Sequence, residues 1–317
     1  MSRCRAAVIV SITLNPSVDR TLFVSSFKPR DTNRVERTET DAGGKGVNLA
    51  RVAKELDGRV FATGFLGGRT GRIVQQTLEA EAVEHSFVEV EGETRLNITV
   101  EDGQGPPTSF NERGPEISLH DWSALCDFLE ELYPAATYVA MGGSLPPGVP
   151  ADAYLILQRA AREYGCLSVV DADGYALQNA MREPPFLVKP NADEASRYLR
   201  REVKTMEDGL AAAREFVTRG VEVAIVSMGA AGAALSSPEE EYLARPPQVE
   251  AVSTIGSGDS LVAGFLVGLE QGMSFREALR LGVAAGTATA MTNGSEIGRR
   301  ETILSLVKEV QIEPVDG

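Results

Sequence analysis

Apolar residues gather in short unbroken runs that stop abruptly at Gly, Asp, Pro or Ser: Ala6–Ile12, Val60–Phe65, Tyr138–Met141, Leu167–Asp171, Phe186–Lys189 and Val223–Ser227. Continuous rather than alternating hydrophobicity describes strands buried on both faces, as in a parallel sheet. Between the runs the period changes. Leu49, Val52, Ala53 and Leu56 fall at i, i+3, i+4 and i+7, and Val262, Phe265, Leu266 and Leu269 repeat that spacing. Trp122, Leu125, Leu129 and Leu132 share one face of another helix. This strand–helix alternation predicts an α/β sandwich with right-handed crossovers.

Two stretches break the rhythm. Thr21–Thr40 and Glu91–Asn111 are more polar and partly alternating, with turn residues at Lys28-Pro29-Arg30-Asp31 and Asp102-Gly103. They read as half-exposed hairpin strands that together form a small antiparallel sheet covering a site. Gln311–Gly317 reads as a loose tail.

Composition narrows the class. At 317 residues the chain is long enough for one large domain. An apolar content of 43% and a charged content of 24% are ordinary for a soluble protein. A net charge of −14 argues against a general nucleic-acid binder, which needs cationic surface to face phosphates. Cys4, Cys126 and Cys166 are scattered, without a CxxC, so they read as reduced thiols rather than a disulfide or zinc framework. Two histidines, His85 and His120, argue against a His-based triad or a His-rich metal site. The opening MSRCRAAVIVSITLNP has the basic start of a signal peptide, but its apolar run is short and β-branched and lacks a small-residue cleavage site. It reads as a first strand. With no stretch of transmembrane length, a cytoplasmic protein without membrane partners is expected.

An open α/β sheet binds ligands beyond the carboxyl ends of its strands. Here those ends carry Gly142-Gly143-Ser144, Asp171, Lys189-Pro190-Asn191 and Ser227-Met228-Gly229. Gly256-Ser257-Gly258-Asp259 opens a helical pattern. Glycines at a helix mouth let a phosphate approach unpaired amides, and a carboxylate there could take a proton from an incoming hydroxyl. The same four residues also describe an ordinary helix start capped by Asp259. Ala42-Gly43-Gly44-Lys45-Gly46-Val47-Asn48 is a second glycine-rich entry to a helix, suited to an anion or to a simple turn with a solvated lysine. Asp19, after Asn15-Pro16-Ser17, could accept hydrogen bonds from sugar hydroxyls or be a surface acid. Arg95, in Thr94-Arg95-Leu96-Asn97, could clamp a phosphate or be an exposed strand charge. Asn191 and Glu194 have the spacing of a capping box; the functional alternative has Glu194 hold Mg²⁺ through water. No GxxxxGK[ST] or protein-kinase motif set occurs, and no GxGxxG opens a helix after a strand.

Taken in order, TLNPSVD, GGKGVNLARV, FLGG, TRLN, GGSLPPG, LVKPNADE, VSMG and GSGDSLVAGF resemble the blocks of the PfkB family of carbohydrate kinases over nearly the whole chain. The resemblance implies a ribokinase-like three-layer sandwich, with a mostly parallel central sheet and a small β-sheet lid. It implies one kinase domain over residues 1–317, with lid excursions at about 13–40 and 91–111. It further implies an ATP- and Mg²⁺-dependent enzyme acting on a sugar or sugar phosphate. Asp259 matches the family's catalytic base, and Gly256, Ser257 and Gly258 its anion hole. Lys189, Asn191, Ser227, Gly229 and Thr254 match nucleotide-side positions, and Glu194 a position linked to Mg²⁺. Asp19, Gly43, Gly44, Asn48, Asn97 and Ser144 match the sugar site. Thr-Leu-Asn-Pro-Ser-x-Asp, Gly-Gly-Lys-Gly and Thr-Arg-x-Asn are similar to 1-phosphofructokinases and tagatose-6-phosphate kinases. Lys45 and Arg95 are then the candidates for gripping a phosphate already on the substrate. Fructose 1-phosphate is the expected acceptor, with 6-phosphofructokinase or tagatose-6-phosphate kinase activity the alternatives. A non-catalytic sugar-phosphate sensor and a nucleoside kinase are the readings from other classes. A homodimer formed through the lid is also implied. The sequence departs from the family at Ser257, at Gly142, where many members carry Ser, and at Asp173, which adds a negative charge near the site.

Overall fold

The computed structural model of the chain describes residues 8–105 and 107–315. In chain order the first elements are β1 (Ile9–Thr13), β2 (Ser17–Val24), β3 (Val35–Gly43), α1 (Lys45–Glu55), β4 (Val60–Leu66) and α2 (Gly68–Ala80). Next come β5 (Glu84–His85), β6 (Val88–Glu89), β7 (Arg95–Glu101), β8 (Thr108–Asn111), α3 (Leu119–Leu132), β9 (Tyr138–Gly142) and α4 (Ala153–Glu163). They are followed by β10 (Leu167–Asp171), α5 (Gly174–Ala180), β11 (Leu187–Val188), α6 (Ala192–Leu199), α7 (Met206–Thr218) and β12 (Val223–Ser227). The chain closes with β13 (Ala233–Ser236), β14 (Glu241–Arg245), α8 (Ser257–Glu270), α9 (Phe275–Ala290), α10 (Arg300–Val307) and β15 (Gln311–Pro314).

The main sheet runs β15-β14-β13-β12-β11-β10-β9-β1-β4-β5. It is parallel from β12 to β5 and antiparallel across β12–β15. The parallel strands β1, β4, β9, β10, β11 and β12 fall on the six predicted apolar runs, with β10 and β12 having the predicted ends, whereas the two-residue β5 lies outside them. Ala6 and Ala7 of the first run, and Cys4, lie outside the described residues.

Both faces of the sheet are covered, which is why its parallel strands are mostly apolar. Ile9 packs on the side of Leu49, Val52, Phe265 and Leu279, and Val10 and Ile12 on the side of Leu125, Tyr154, Ala195 and Phe216. The result is three layers, with α1, α8, α9 and α10 on one face and α3, α4, α6 and α7 on the other. Of the polar residues buried on the first face, Ser11 is tied to α1, its Oγ donating to the Gly46 carbonyl at 2.7 Å. The Cys166 thiol is buried and donates to the Tyr133 carbonyl oxygen.

Two expectations are corrected. Gln311–Pro314 is an edge strand paired with β14, not part of a loose tail, because Ile312 is buried and the backbone of the edge is satisfied by pairing; Asp316 and Gly317 lie outside the described residues. The second sheet, ordered β3-β2-β7-β8, is mixed rather than antiparallel. Its hairpins β2–β3 and β7–β8 are antiparallel, but they join through a parallel β2–β7 pair. Both of those strands leave the same edge of the main sheet heading outward, so they meet side by side. β3 continues past Thr40 to Gly43 and delivers the chain into α1.

Candidate active site

Because β1, β9, β10, β11 and β12 are parallel, their carboxyl ends share one edge, where the site residues collect. Asp259 lies in the first turn of α8, whose N-cap is Gly256 in the left-handed conformation, φ 76°. Glycine adopts that backbone without a Cβ clash and offers no side chain to cap the helix. Asp259 is not the cap: its carboxylate accepts a 2.9 Å hydrogen bond from Asn48 Nδ2 on α1. No side chain caps the opening amides of α8; the Ser257 amide makes a long 3.3 Å bond to the Thr254 carbonyl, and the next amides remain available to an anion. Lys189, only 3% exposed at the end of β11, stands against this mouth; a Cβ on Gly258 would lie 3.1 Å from its Nζ.

Charged groups cluster at this edge, and Asp171, Lys45 and Lys189 act on Asp259. Lys45 Nζ lies 2.6 Å from Asp171 Oδ1 and 3.5 Å from Glu194 Oε1, and Lys189 Nζ lies 3.4 Å from Asp171 Oδ2. Burial would push the Asp171 carboxyl up, but Lys189 and Lys45 outweigh it and hold the group ionised, below the usual range. Burial likewise opposes the Lys45 charge, and the carboxylates of Asp171, Glu194 and Asp259 override it. Asp259 has no such ion pair. Burial first, then the Asp171 charge, pushes its carboxyl up to about 7 against the pull of Lys45, Asn48 and Lys189. A carboxylate with that value near neutral pH is well matched to accepting a proton.

The second sheet supplies another cluster. Asp19 Oδ1 accepts from Asn97 Nδ2 at 2.8 Å and Ser17 Oγ at 2.7 Å, and Oδ2 accepts from Ser295 Oγ at 3.1 Å. Gly43 lies directly beneath this carboxylate, where any Cβ would overlap it. At Gly44, φ is 107° and a Cβ would meet Thr13 and Pro16. These two glycines let β3, β2 and α1 converge. Arg95 sits next to Asp19 and Tyr154, and burial lowers the pKa of its guanidinium. Its Nη1 reaches the Glu112 carbonyl at 3.4 Å, while its buried Nε has no hydrogen-bond partner among the described residues. Asn15 Nδ2 bridges Ser144 Oγ at 3.1 Å and the Arg113 carbonyl at 3.0 Å.

The remaining positions are spread along the same edge. Asn191 and Glu194 form the capping box of α6, with both reciprocal bonds at 2.8 Å, so Glu194 Oε2 is engaged and Oε1 faces Lys45. Ser227 pairs with Asn191 across the strand ends, and Gly229, with φ 58°, has open space where a Cβ would be. Thr254 is exposed just before α8. Asp173 turns away to Arg197 Nη2 at 2.6 Å. At Gly142 a Cβ would lie 2.6 Å from the Asp171 carbonyl oxygen, so the backbone here closes into space that a side chain would need.

Sequence reasoning missed three supporting residues. Tyr154 donates from its hydroxyl to the Gly143 carbonyl at 3.1 Å, yet in sequence it is one more apolar helix position. Ser295 had no distinguishing neighbour. Arg51 is buried and ties the Ala42 and Ser295 carbonyls together through Nη1, at 3.2 and 3.4 Å, while pairing with Glu81. A lone arginine within an apolar helical stripe was the available signal.

A family model described as pfkB family carbohydrate kinase matches residues 7–302. The chain belongs to this family of kinases. It is therefore a phosphotransferase. The kinase is 36% identical over 305 residues to a 1-phosphofructokinase of Bacillus subtilis, covering 96% of this chain and 99% of the relative. It is 33% identical to a tagatose-6-phosphate kinase of Staphylococcus epidermidis, at 96% and 99% coverage. Among solved structures, phosphofructokinase-2 of Escherichia coli in complex with fructose-6-phosphate superposes with a TM-score of 0.86 at 30% identity, covering 96% of this chain and 99% of that one. Among the described residues, no helix is long and apolar enough to cross a membrane.

Proposed function

We propose that this kinase transfers the γ-phosphoryl group of Mg-ATP to the 6-hydroxyl of fructose 1-phosphate, giving fructose 1,6-bisphosphate and ADP. The observation that carries the reading is Asp259, a buried carboxylate of raised pKa at an uncapped helix mouth, with Lys189 beside it. Asp259 takes the proton of the attacking hydroxyl as the new O–P bond forms and the bond to the ADP oxygen breaks. The amides of Gly256, Ser257 and Gly258, with Lys189, receive the charge of the moving group. Asp19, Asn97 and Asn48 bind the sugar hydroxyls above the floor made by Gly43 and Gly44.

Two observations support the cofactors. No side chain caps the α8 mouth, and beside Asn191 and Ser227 the space next to Gly229 is open. For magnesium, Asp171 and Glu194 already converge on one positive centre, the Lys45 ammonium, so their oxygens suit a cation. The ion, when bound, would offset phosphate charge, and the remaining steps belong to the side chains.

A phosphorylated acceptor is favoured by Arg95, whose half-buried guanidinium has an unspent donor at its enclosed Nε and so gains by meeting an anion. The similarity to 1-phosphofructokinases selects fructose 1-phosphate, and tagatose 6-phosphate is the alternative. A coupled ADP-release assay over fructose 1-phosphate, fructose 6-phosphate, tagatose 6-phosphate, ribose and adenosine tests this. Fructose 1-phosphate is expected to give the highest kcat/KM; a higher value for another acceptor would reassign the substrate.

We also assign the second sheet as a lid within the same kinase unit, and as the surface through which two copies associate. Leu22 is in register with Val100, and Ile98 with Phe110, on the face opposite Asp19. Phe110 is 55% exposed there. Sedimentation at working concentration should give a dimer that Phe110→Glu converts to monomer; a monomeric wild type would refute the assembly.

A further inference from the structure

Lys45 is placed where a cation between Asp171 and Glu194 would be, and this has a consequence for the order in which ligands bind. Its ammonium is held between two carboxylates, Asp171 at the end of β10 and Glu194 in the first turn of α6, that are both at least nine-tenths buried. The other oxygen of each acid is already committed. Asp171 Oδ2 faces Lys189, and Glu194 Oε2 accepts from the Asn191 amide. The pair that faces Lys45 is thus the pair left for an incoming ion.

Lys45 is also the mobile member. It is the first residue of α1, on a four-carbon stem, with its side chain 30% exposed. It lines a cleft of about 440 Å³ together with Gly143, Ser144, Tyr175, Glu194 and Asp173, whose charge is paired with Arg197, and it borders the small space next to Asp259 as well. From one anchor the ammonium has two destinations, inward to the carboxylates or outward to an anion in the cleft. Lys189 has no such choice, being almost wholly enclosed.

We infer that Lys45 is a built-in counter-ion that occupies the magnesium position until the phosphate of the sugar draws it into the cleft. A dianionic phosphate competes for the ammonium, and its departure leaves two buried carboxylates short of positive charge. A divalent ion then binds there more tightly. By linkage the ion favours the outward lysine and so strengthens sugar-phosphate binding by the same factor. The metal site is thereby completed only when the acceptor is present, which would limit wasteful ATP hydrolysis. The inference rests on the hexose-phosphate reading only for the identity of its second ligand.

Mn²⁺ binding, followed by the electron paramagnetic resonance of the free ion and without any nucleotide, tests it. Adding fructose 1-phosphate to the wild type is expected to tighten Mn²⁺ binding about tenfold, within the usual range of coupling between sites. Lys45→Met is expected to bind Mn²⁺ that tightly with no sugar present and to show no further gain, whereas Lys45→Arg stays weak. Circular dichroism and thermal melts establish that the variants are folded, and Lys45→Gln substitutes if the Met variant is not. Mn²⁺ affinity of the uncharged variant equal to wild type would overturn the inference. So would wild-type affinity unmoved by fructose 1-phosphate that calorimetry shows to be bound. Failure of fructose 1-phosphate to bind at all would count against the substrate reading instead, and the variant comparison, which needs no sugar, would still decide the role of Lys45.

Discussion

Replacing Asp259 with Asn lowers kcat by about 10²- to 10⁴-fold, the range for loss of a positioned general base. ATP affinity, measured by calorimetry, changes little, because the substitution removes one oxygen's basicity and leaves the α8 amides in place. The pH dependence gives the same residue a second signature. A base must be deprotonated to act, and burial together with the Asp171 charge raises this carboxyl to about 7. Activity is therefore lost as pH falls through that value, and the kcat/KM profile shows an acidic limb near 7. In Asp259→Asn the limb disappears with the bulk of the activity. Near-normal turnover in that variant, or a wild-type profile flat down to about pH 5, would remove Asp259 from the role of base.

The second large effect concerns Lys189. Lys189→Met takes away the positive charge against the helix mouth, and kcat is expected to fall by about 10²-fold, as when one donor of an anion hole is lost. It also leaves Asp171 with Lys45 alone. Breaking a buried ion pair from one side costs roughly 3 kcal/mol, so urea denaturation should show the loss of stability beside the loss of rate. The two readouts separate its roles. A variant that loses stability and keeps turnover would make Lys189 a partner of Asp171 and nothing more.

What could be read from the chain beforehand divides along physical lines. Leu167–Asp171 and Val223–Ser227 were legible to the residue, because strands buried on both faces are mostly apolar and stop where the sheet edge meets solvent or ligand. The antiparallel edge was not: β13 is half alanine, β14 starts and ends on Glu241 and Arg245, and Gln311–Pro314 buries Ile312 alone, so no strongly apolar run announces them. Local patterns left the cap question open at two helices, and the structure answers it in opposite directions. Asn191 and Glu194 do form their capping box, whereas Asp259 caps nothing and is held by Asn48, 211 positions away. Lys45 shows the limit most clearly. Its neighbours suggested a free cation awaiting a phosphate, but its partners Asp171 and Glu194 lie 126 and 149 positions on, and their attraction exists only once the strand ends share an edge. The ordered set of short blocks carried the family; the couplings between them required the fold.

The most direct test is to follow fructose 1-phosphate and Mg-ATP with the purified protein by ³¹P NMR. The account predicts that ADP appears in step with a sugar bearing a second phosphomonoester, fructose 1,6-bisphosphate, and that Asp259→Asn suppresses both together. An unchanged fructose 1-phosphate signal, or ADP accompanied only by inorganic phosphate, would contradict it.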